Sequence, residues 1–136
     1  VLTGGEPTIY QWEAIISHLF HTIPNPLAIE TNGSNVIHSD RRDLWSLWTT
    51  VSPKLMIDDC EKYFENPYWG GSELKVVMEP GLDTKRLQEL YFILRHRFTH
   101  FYIQPCSGDN IPAVNFVKEN PQWKLSLQTQ KILAIQ

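Results

Sequence analysis

The sequence predicts an α/β fold built on a parallel sheet. Three observations carry that expectation. Short apolar runs alternate with segments of helical periodicity along the whole chain. Each apolar run is closed by a polar or turn-forming cluster: "GGEP", "ETNG", "SPK", "QP" and "QTQK". The chain has 136 residues, 42% of them hydrophobic and 20% charged, so it is long enough to bury one modest core as a single domain over 1–136.

The elements follow in order. Val1 to Thr3 read as the end of a buried strand. A helical pattern opens at Thr8 or Tyr10 and carries Trp12, Ile15, Ile16, Leu19 and Phe20; Pro24 and Pro26 in "TIPNP" end it. "LAIETNGS" is a strand followed by a loop. Ser39 or Asp40 caps a short helix with Leu44, Trp45, Leu47 and Trp48. "TTVSPK" is the next strand, and 55–71 is irregular apart from a helical turn around Asp58–Phe64. "SELKVVM" is a strand and "EPGLD" a turn. Thr84 to His96 is a helix with Leu87, Leu90, Tyr91 and Leu94 on one side. "HFYIQPCSGDN" is strand then loop, Pro112 to Glu119 a helix, and "QWKLSLQT" a last strand. Strand–helix alternation of this kind needs crossover connections, hence parallel neighbours. In such folds the ligand site lies at the C-terminal edge of the strands, which is where the polar clusters fall.

Bulk properties exclude several classes. A net charge of -3 argues against a broad basic surface for direct nucleic-acid binding. No apolar run is long enough for a bilayer, and no basic n-region with a long apolar stretch opens the chain. Cys60 and Cys106 lie far apart and form no Cys-x-x-Cys pair, which favours a reducing cytoplasm over a disulfide scaffold.

The strand ends offer candidate contacts. Gly4 and Gly5 let backbone groups approach a ligand, and Glu6 offers an anionic acceptor for an ammonium group. Taken alone, "GGEP" reads first as an ordinary strand-to-helix turn; the polar clusters at the other strand ends favour a ligand contact here. Glu30 suits hydroxyls or amines. Asn32-Gly33 is a turn signal with or without function. Ser52 and Lys54 suit a ribose or a carboxylate, and Gln104 suits a heterocycle edge. Lys75 alternates with apolar neighbours and points either into the sheet's inner side, where it needs a partner, or to solvent. Gln128 and Gln130 lie near the last strand end. His18, His21, His38, His96 and His100 show no metal spacing. The five tryptophans suit the core or a subunit contact.

Taken together and in order, "LTGGEPT … IETNGS … VSPK … ELKVV … YIQP … LSLQTQK" resembles the radical S-adenosylmethionine enzymes, and most closely the 7-carboxy-7-deazaguanine synthases of queuosine and 7-deazapurine biosynthesis. "GGEP" marks the superfamily; the other motifs narrow it. The resemblance implies an incomplete parallel β/α barrel of the radical S-adenosylmethionine type, with a [4Fe-4S] cluster, S-adenosylmethionine and Mg²⁺ as cofactors. It implies ring contraction of 6-carboxytetrahydropterin to 7-carboxy-7-deazaguanine with loss of ammonia, a carbon–nitrogen lyase reaction. A homodimer and an external electron donor come with it. Cofactor contacts are then expected from Gly4, Gly5, Glu6, Glu30, Ser52, Lys54 and Gln104. Thr3, Gln130 and Gln136 are expected to face the pterin, the last through the terminal carboxylate. Gln130 stands where the family often has His, so it hydrogen-bonds without carrying a charge.

The family's three cluster cysteines lie upstream of "GGEP". The resemblance therefore implies a chain that lacks the first barrel strand and helix, a C-terminal part that is inactive by itself. A cluster needs three thiolates on one compact loop, which Cys60 and Cys106 do not provide. Two other readings stay open: another small radical S-adenosylmethionine enzyme or activase, and a cluster-less binding module.

Overall fold

The computed structural model describes residues 1–9, 12–35, 47–54, 65–67, 69–106, 109–129 and 133. The helix expected from Ser39 or Asp40 and the turn around Asp58–Phe64 fall mostly outside these residues, as do Cys60, Gln130 and Gln136.

Five strands, β1 (Ala28–Thr31), β2 (Trp48–Val51), β3 (Gly71–Met78), β4 (Phe98–Pro105) and β5 (Lys124–Leu125), form one sheet in sequential order. Every pairing is parallel. Leu2 adds a parallel bridge to Ile29 at the β1 edge, with Leu2 N donating to Ala28 O and Glu30 N to Leu2 O. An open, all-parallel sheet in sequential order is the arrangement of a partial β/α barrel, and the expected fold class is observed.

Three helices are described: α1 (Trp12–Thr22), α2 (Thr84–Leu94) and α3 (Ile111–Glu119). A 3₁₀ turn at Pro7–Ile9 takes up Thr8, one of the two expected starts, and α1 is described from Trp12, the first apolar residue of the expected pattern. Asp83 caps α2 by accepting from Lys85 N at 2.9 Å. The helix stops at Leu94, two residues short of His96. Pro112 sits in the first turn of α3, where its missing N–H costs nothing.

Alternation along the strands gives the sheet two unlike faces. One face carries Val51, Leu74, Val76, Met78, Phe101 and Ile103, packed under Leu87, Leu90 and Leu94 of α2 and Ala113 and Phe116 of α3. A second apolar cluster joins Ile16 of α1 to Leu27, Ile29 and Leu47. The opposite, inner face is polar. Register places Glu30, Thr50, Glu73 and His100 in one row, and Lys75, Tyr102 and Lys124 in the next.

Two expectations need correction. Trp48 belongs to β2, not to a helix: it pairs with Ala28, and its ring stacks on His100 at 5.8 Å. Sheet pairing outweighs its helical spacing from Trp45. The last strand is far shorter than "QWKLSLQT": only Lys124 and Leu125 pair, although Ser126 N still donates to Ile103 O. Trp123 instead fills the core against Phe101 and Phe116. Trp69 is also buried, whereas Trp48 is half exposed. No helix among the described residues is long and apolar enough to cross a membrane.

Candidate functional site

Because all five strands are parallel, their C-terminal ends share one edge. At the β1 side of that edge, the turn after Leu2 meets the loop after β1. Gly4 and Gly5 adopt φ of +90° and +65°, with nothing within 4 Å of where a side chain would project. This turn is open, and its backbone is free to approach a ligand.

Glu6 joins the two segments. Its Oε1 accepts from Thr8 N at 3.1 Å, Thr8 Oγ1 at 2.5 Å and Thr31 Oγ1 at 2.6 Å; its Oε2 accepts from Asn32 N at 2.6 Å. Burial by itself would raise the pKa of this carboxyl. The hydrogen bonds from Thr31, Thr8 and the Asn32 backbone outweigh it and hold Glu6 below the ordinary glutamate range. Thr31 continues the chain by accepting from Gly33 N at 3.0 Å, and Gly33 O receives the Trp69 indole N–H at 2.9 Å. "GGEP" and "ETNG", far apart in sequence, are therefore one hydrogen-bonded unit.

Across the sheet the inner face opens into a cavity of about 460 Å³ lined by Glu30, Glu73, Lys75, Tyr102, Gln104, Ser126, Leu127 and Gln128. Glu30 is fixed at both oxygens: Thr3 Oγ1 donates to Oε2 at 3.1 Å, and Lys75 Nζ lies 3.4 Å from Oε1. Thr50 Oγ1 donates to Glu73 Oε2 at 2.8 Å. Two carboxylates, one ammonium, a phenol and two amides can together accept from and donate to a polar heterocycle or a sugar.

Of the residues expected from the sequence, Glu30 and Gln104 line this cavity, and Thr3 reaches it through Glu30. Gly4, Gly5 and Glu6 are not lining residues; Glu6 ties their turn to Thr31 and Asn32, which follow Glu30 in sequence. Ser52 follows β2, with its N–H donating to Thr31 O at 2.7 Å. Ser52 and Lys54 are not among the cavity's lining residues. Gln130 and Gln136 lie outside the described residues. Glu73, Tyr102, Ser126 and Leu127 were not expected. The alternation of "ELKVV" that singles out Lys75 puts Glu73 on the same face, and that signal could have found Glu73. Cys106 follows β4 and is free, and no group of three or more His, Cys, Asp or Glu side chains among the described residues could hold a metal ion.

Comparison with known proteins points one way. The chain is 35% identical over 136 residues to the 7-carboxy-7-deazaguanine synthase of Bacteroides thetaiotaomicron, covering 99% of this chain and 64% of the relative. It is 35% identical to the 7-carboxy-7-deazaguanine synthase of Burkholderia multivorans over 99% of this chain and 58% of the relative. The enzyme of the same name from Haemophilus influenzae is 26% identical over the whole of this chain and 64% of its own length. The chain thus spans roughly three-fifths of the curated relatives it matches. No family model and no solved structure matches.

Proposed function

We propose that this chain, 35% identical over nearly its whole length to 7-carboxy-7-deazaguanine synthases of which it spans about three-fifths, is the ligand-holding part of such an enzyme. The reaction is radical ring contraction of 6-carboxytetrahydropterin to 7-carboxy-7-deazaguanine, with ammonia lost. The observation that supports this reading best is the polar cavity at the strand ends, reached by Glu30, Gln104 and, through Glu30, Thr3.

S-adenosylmethionine, when bound, would supply the radical chemistry. This chain's own residues hold and orient. The open Gly4-Gly5 turn faces the methionyl amino end, and Glu6 Oε2, with a single donor, keeps acceptor capacity beside it. Glu30, Ser52, Lys54 and Gln104 complete the S-adenosylmethionine side. Thr3, Gln130 and Gln136 serve the pterin. The [4Fe-4S] cluster does not fit here: three thiolates are needed and the chain has two cysteines. The cluster and its Mg²⁺ are assigned to the two-fifths of the relatives that this chain does not match. A homodimer, an external electron donor and a cytoplasmic location belong to the same reading.

The test is direct. The full-length enzyme carrying this sequence, reconstituted anaerobically, should convert 6-carboxytetrahydropterin to 7-carboxy-7-deazaguanine in the presence of S-adenosylmethionine and a reductant. The 136-residue chain treated in parallel should retain no stoichiometric iron. Intact cluster and bound S-adenosylmethionine without ring contraction would overturn the assignment. Stoichiometric iron held through Cys60 or Cys106 would overturn the placement of the cluster.

A further inference from the structure

Lys75 has a role that neither the motifs nor the relatives assign. It stands in the middle of the inner face on β3, and its ammonium reaches across β2 toward the end of β1. Its side chain is 20% exposed, against 45% for Glu30. A cation on an inward position of a sheet is costly to place and adds little stability through one loose pair. The 3.4 Å separation is longer than a tight ammonium–carboxylate hydrogen bond, which lies near 2.8 Å. Stability is therefore a poor account of this residue.

The geometry around Glu30 gives a better one. Its two oxygens are held from opposite sides, Oε2 by the Thr3 hydroxyl and Oε1 by Lys75. The two donors belong to segments on either side of it, the Leu2 bridge segment and β3. Each oxygen keeps a further lone pair, and Glu30 lines the cavity. Glu73, the other carboxylate on this face, takes its donor from Thr50 and leaves Lys75 to Glu30. We infer that Lys75 is a positioning residue: with Thr3 it clamps the Glu30 carboxylate toward the cavity, as a preset acceptor for a hydroxyl or amine of the ligand. A preset acceptor binds without first losing rotamer freedom, which is the advantage such a clamp confers. This inference rests on the proposed function, with S-adenosylmethionine as the ligand that Glu30 meets.

A double-mutant cycle on the full-length, cluster-loaded enzyme tests it, with equilibrium dialysis of S-adenosylmethionine as the readout. Lys75→Met, which keeps the stem and removes the charge, should weaken binding roughly tenfold. Lys75→Arg should restore it to within about threefold. Glu30→Gln should cost roughly tenfold by itself. Adding Lys75→Met to Glu30→Gln should then cost no more than about twofold further, because a residue acting through Glu30 has nothing left to position. Multiplicative losses, near a hundredfold in the double variant, would show that Lys75 acts independently of Glu30 and overturn the inference. So would wild-type affinity in Lys75→Met. Melting curves accompany each variant, and Lys75→Gln replaces Lys75→Met if the latter does not fold. Wild-type enzyme that binds S-adenosylmethionine but performs no ring contraction sinks the proposed function alone, since the cycle still reads the clamp. Wild-type enzyme that binds none sinks both.

Discussion

Gly33→Ala should destabilise the fold by roughly 2–5 kcal/mol, a large share of the 5–15 kcal/mol typical of a domain. Two costs add. Gly33 has φ of +79°, a left-handed conformation that costs an L-residue about 1–2 kcal/mol. The added methyl would also lie 2.7 Å from Val51 Cγ1 and 2.9 Å from Trp69 Nε1. Neither neighbour yields easily. Val51 is a buried strand residue, and Trp69 is fixed by its hydrogen bond to Gly33 O and by edge packing on Phe98. Overpacking of this kind costs about 1–3 kcal/mol. Gly81 supplies the control. Its φ is +84°, with open space where a side chain would project, so Gly81→Ala should lose only the conformational cost of roughly 1 kcal/mol. Urea unfolding of the two variants separates the contributions. A Gly33→Ala loss no larger than that of Gly81→Ala would show that the contact with Val51 and Trp69 does not constrain the loop.

Gly33 also marks where sequence reasoning reaches and where it stops. Asn32-Gly33 is legible as a turn from composition alone, because only a few residues accept a positive φ. That the turn packs under Trp69, thirty-six residues away, is a tertiary fact with no local signal. The same division holds across the fold. "LAIETNG", "ELKVV" and "HFYIQP" are visible as strands because each is a short apolar run closed by turn residues, and parallel pairing follows from the helical segments between them. Leu44, Trp45, Leu47 and Trp48 satisfy helical spacing, yet pairing with Ala28 puts Trp48 in a strand. "KLSL" alternates as a longer strand would, yet β4 offers partners only to Lys124 and Leu125. In the site, Glu30 and Gln104 were legible by position after apolar runs. Glu73 sits inside a strand, not after one, so a rule that looks only at strand ends passes over it, whereas the alternation of Lys75 with its apolar neighbours already marks that residue.

Glu6→Gln should cost roughly 2–4 kcal/mol, and it should remove part of the protein's sensitivity to acid. The carboxylate takes three donors on Oε1 and one on Oε2. An amide cannot reproduce that arrangement. In either orientation its NH₂ group meets a donor: the Asn32 N–H, or the Thr8 and Thr31 groups. Hydrogen bonds to a charged group are worth about 1.5–3 kcal/mol, and an unmatched buried donor costs about 1–3 kcal/mol. Thr8 and Thr31 are both buried, so water does not readily replace the lost acceptor. The pH dependence follows from the lowered pKa of Glu6 in the fold. In the unfolded chain the group titrates near the ordinary value of about 4.3. Its contribution is fully present above that pH and is lost as pH falls through the lower folded value, because the unfolded state then binds the proton more readily. Urea unfolding of wild type and Glu6→Gln between pH 7 and pH 3 isolates this share from the other carboxylates. The gap in stability between the two should be widest at neutral pH and narrow below about pH 4. A gap that stays constant down to pH 3 would mean that the charge on Glu6 does not hold the two strand-end turns together.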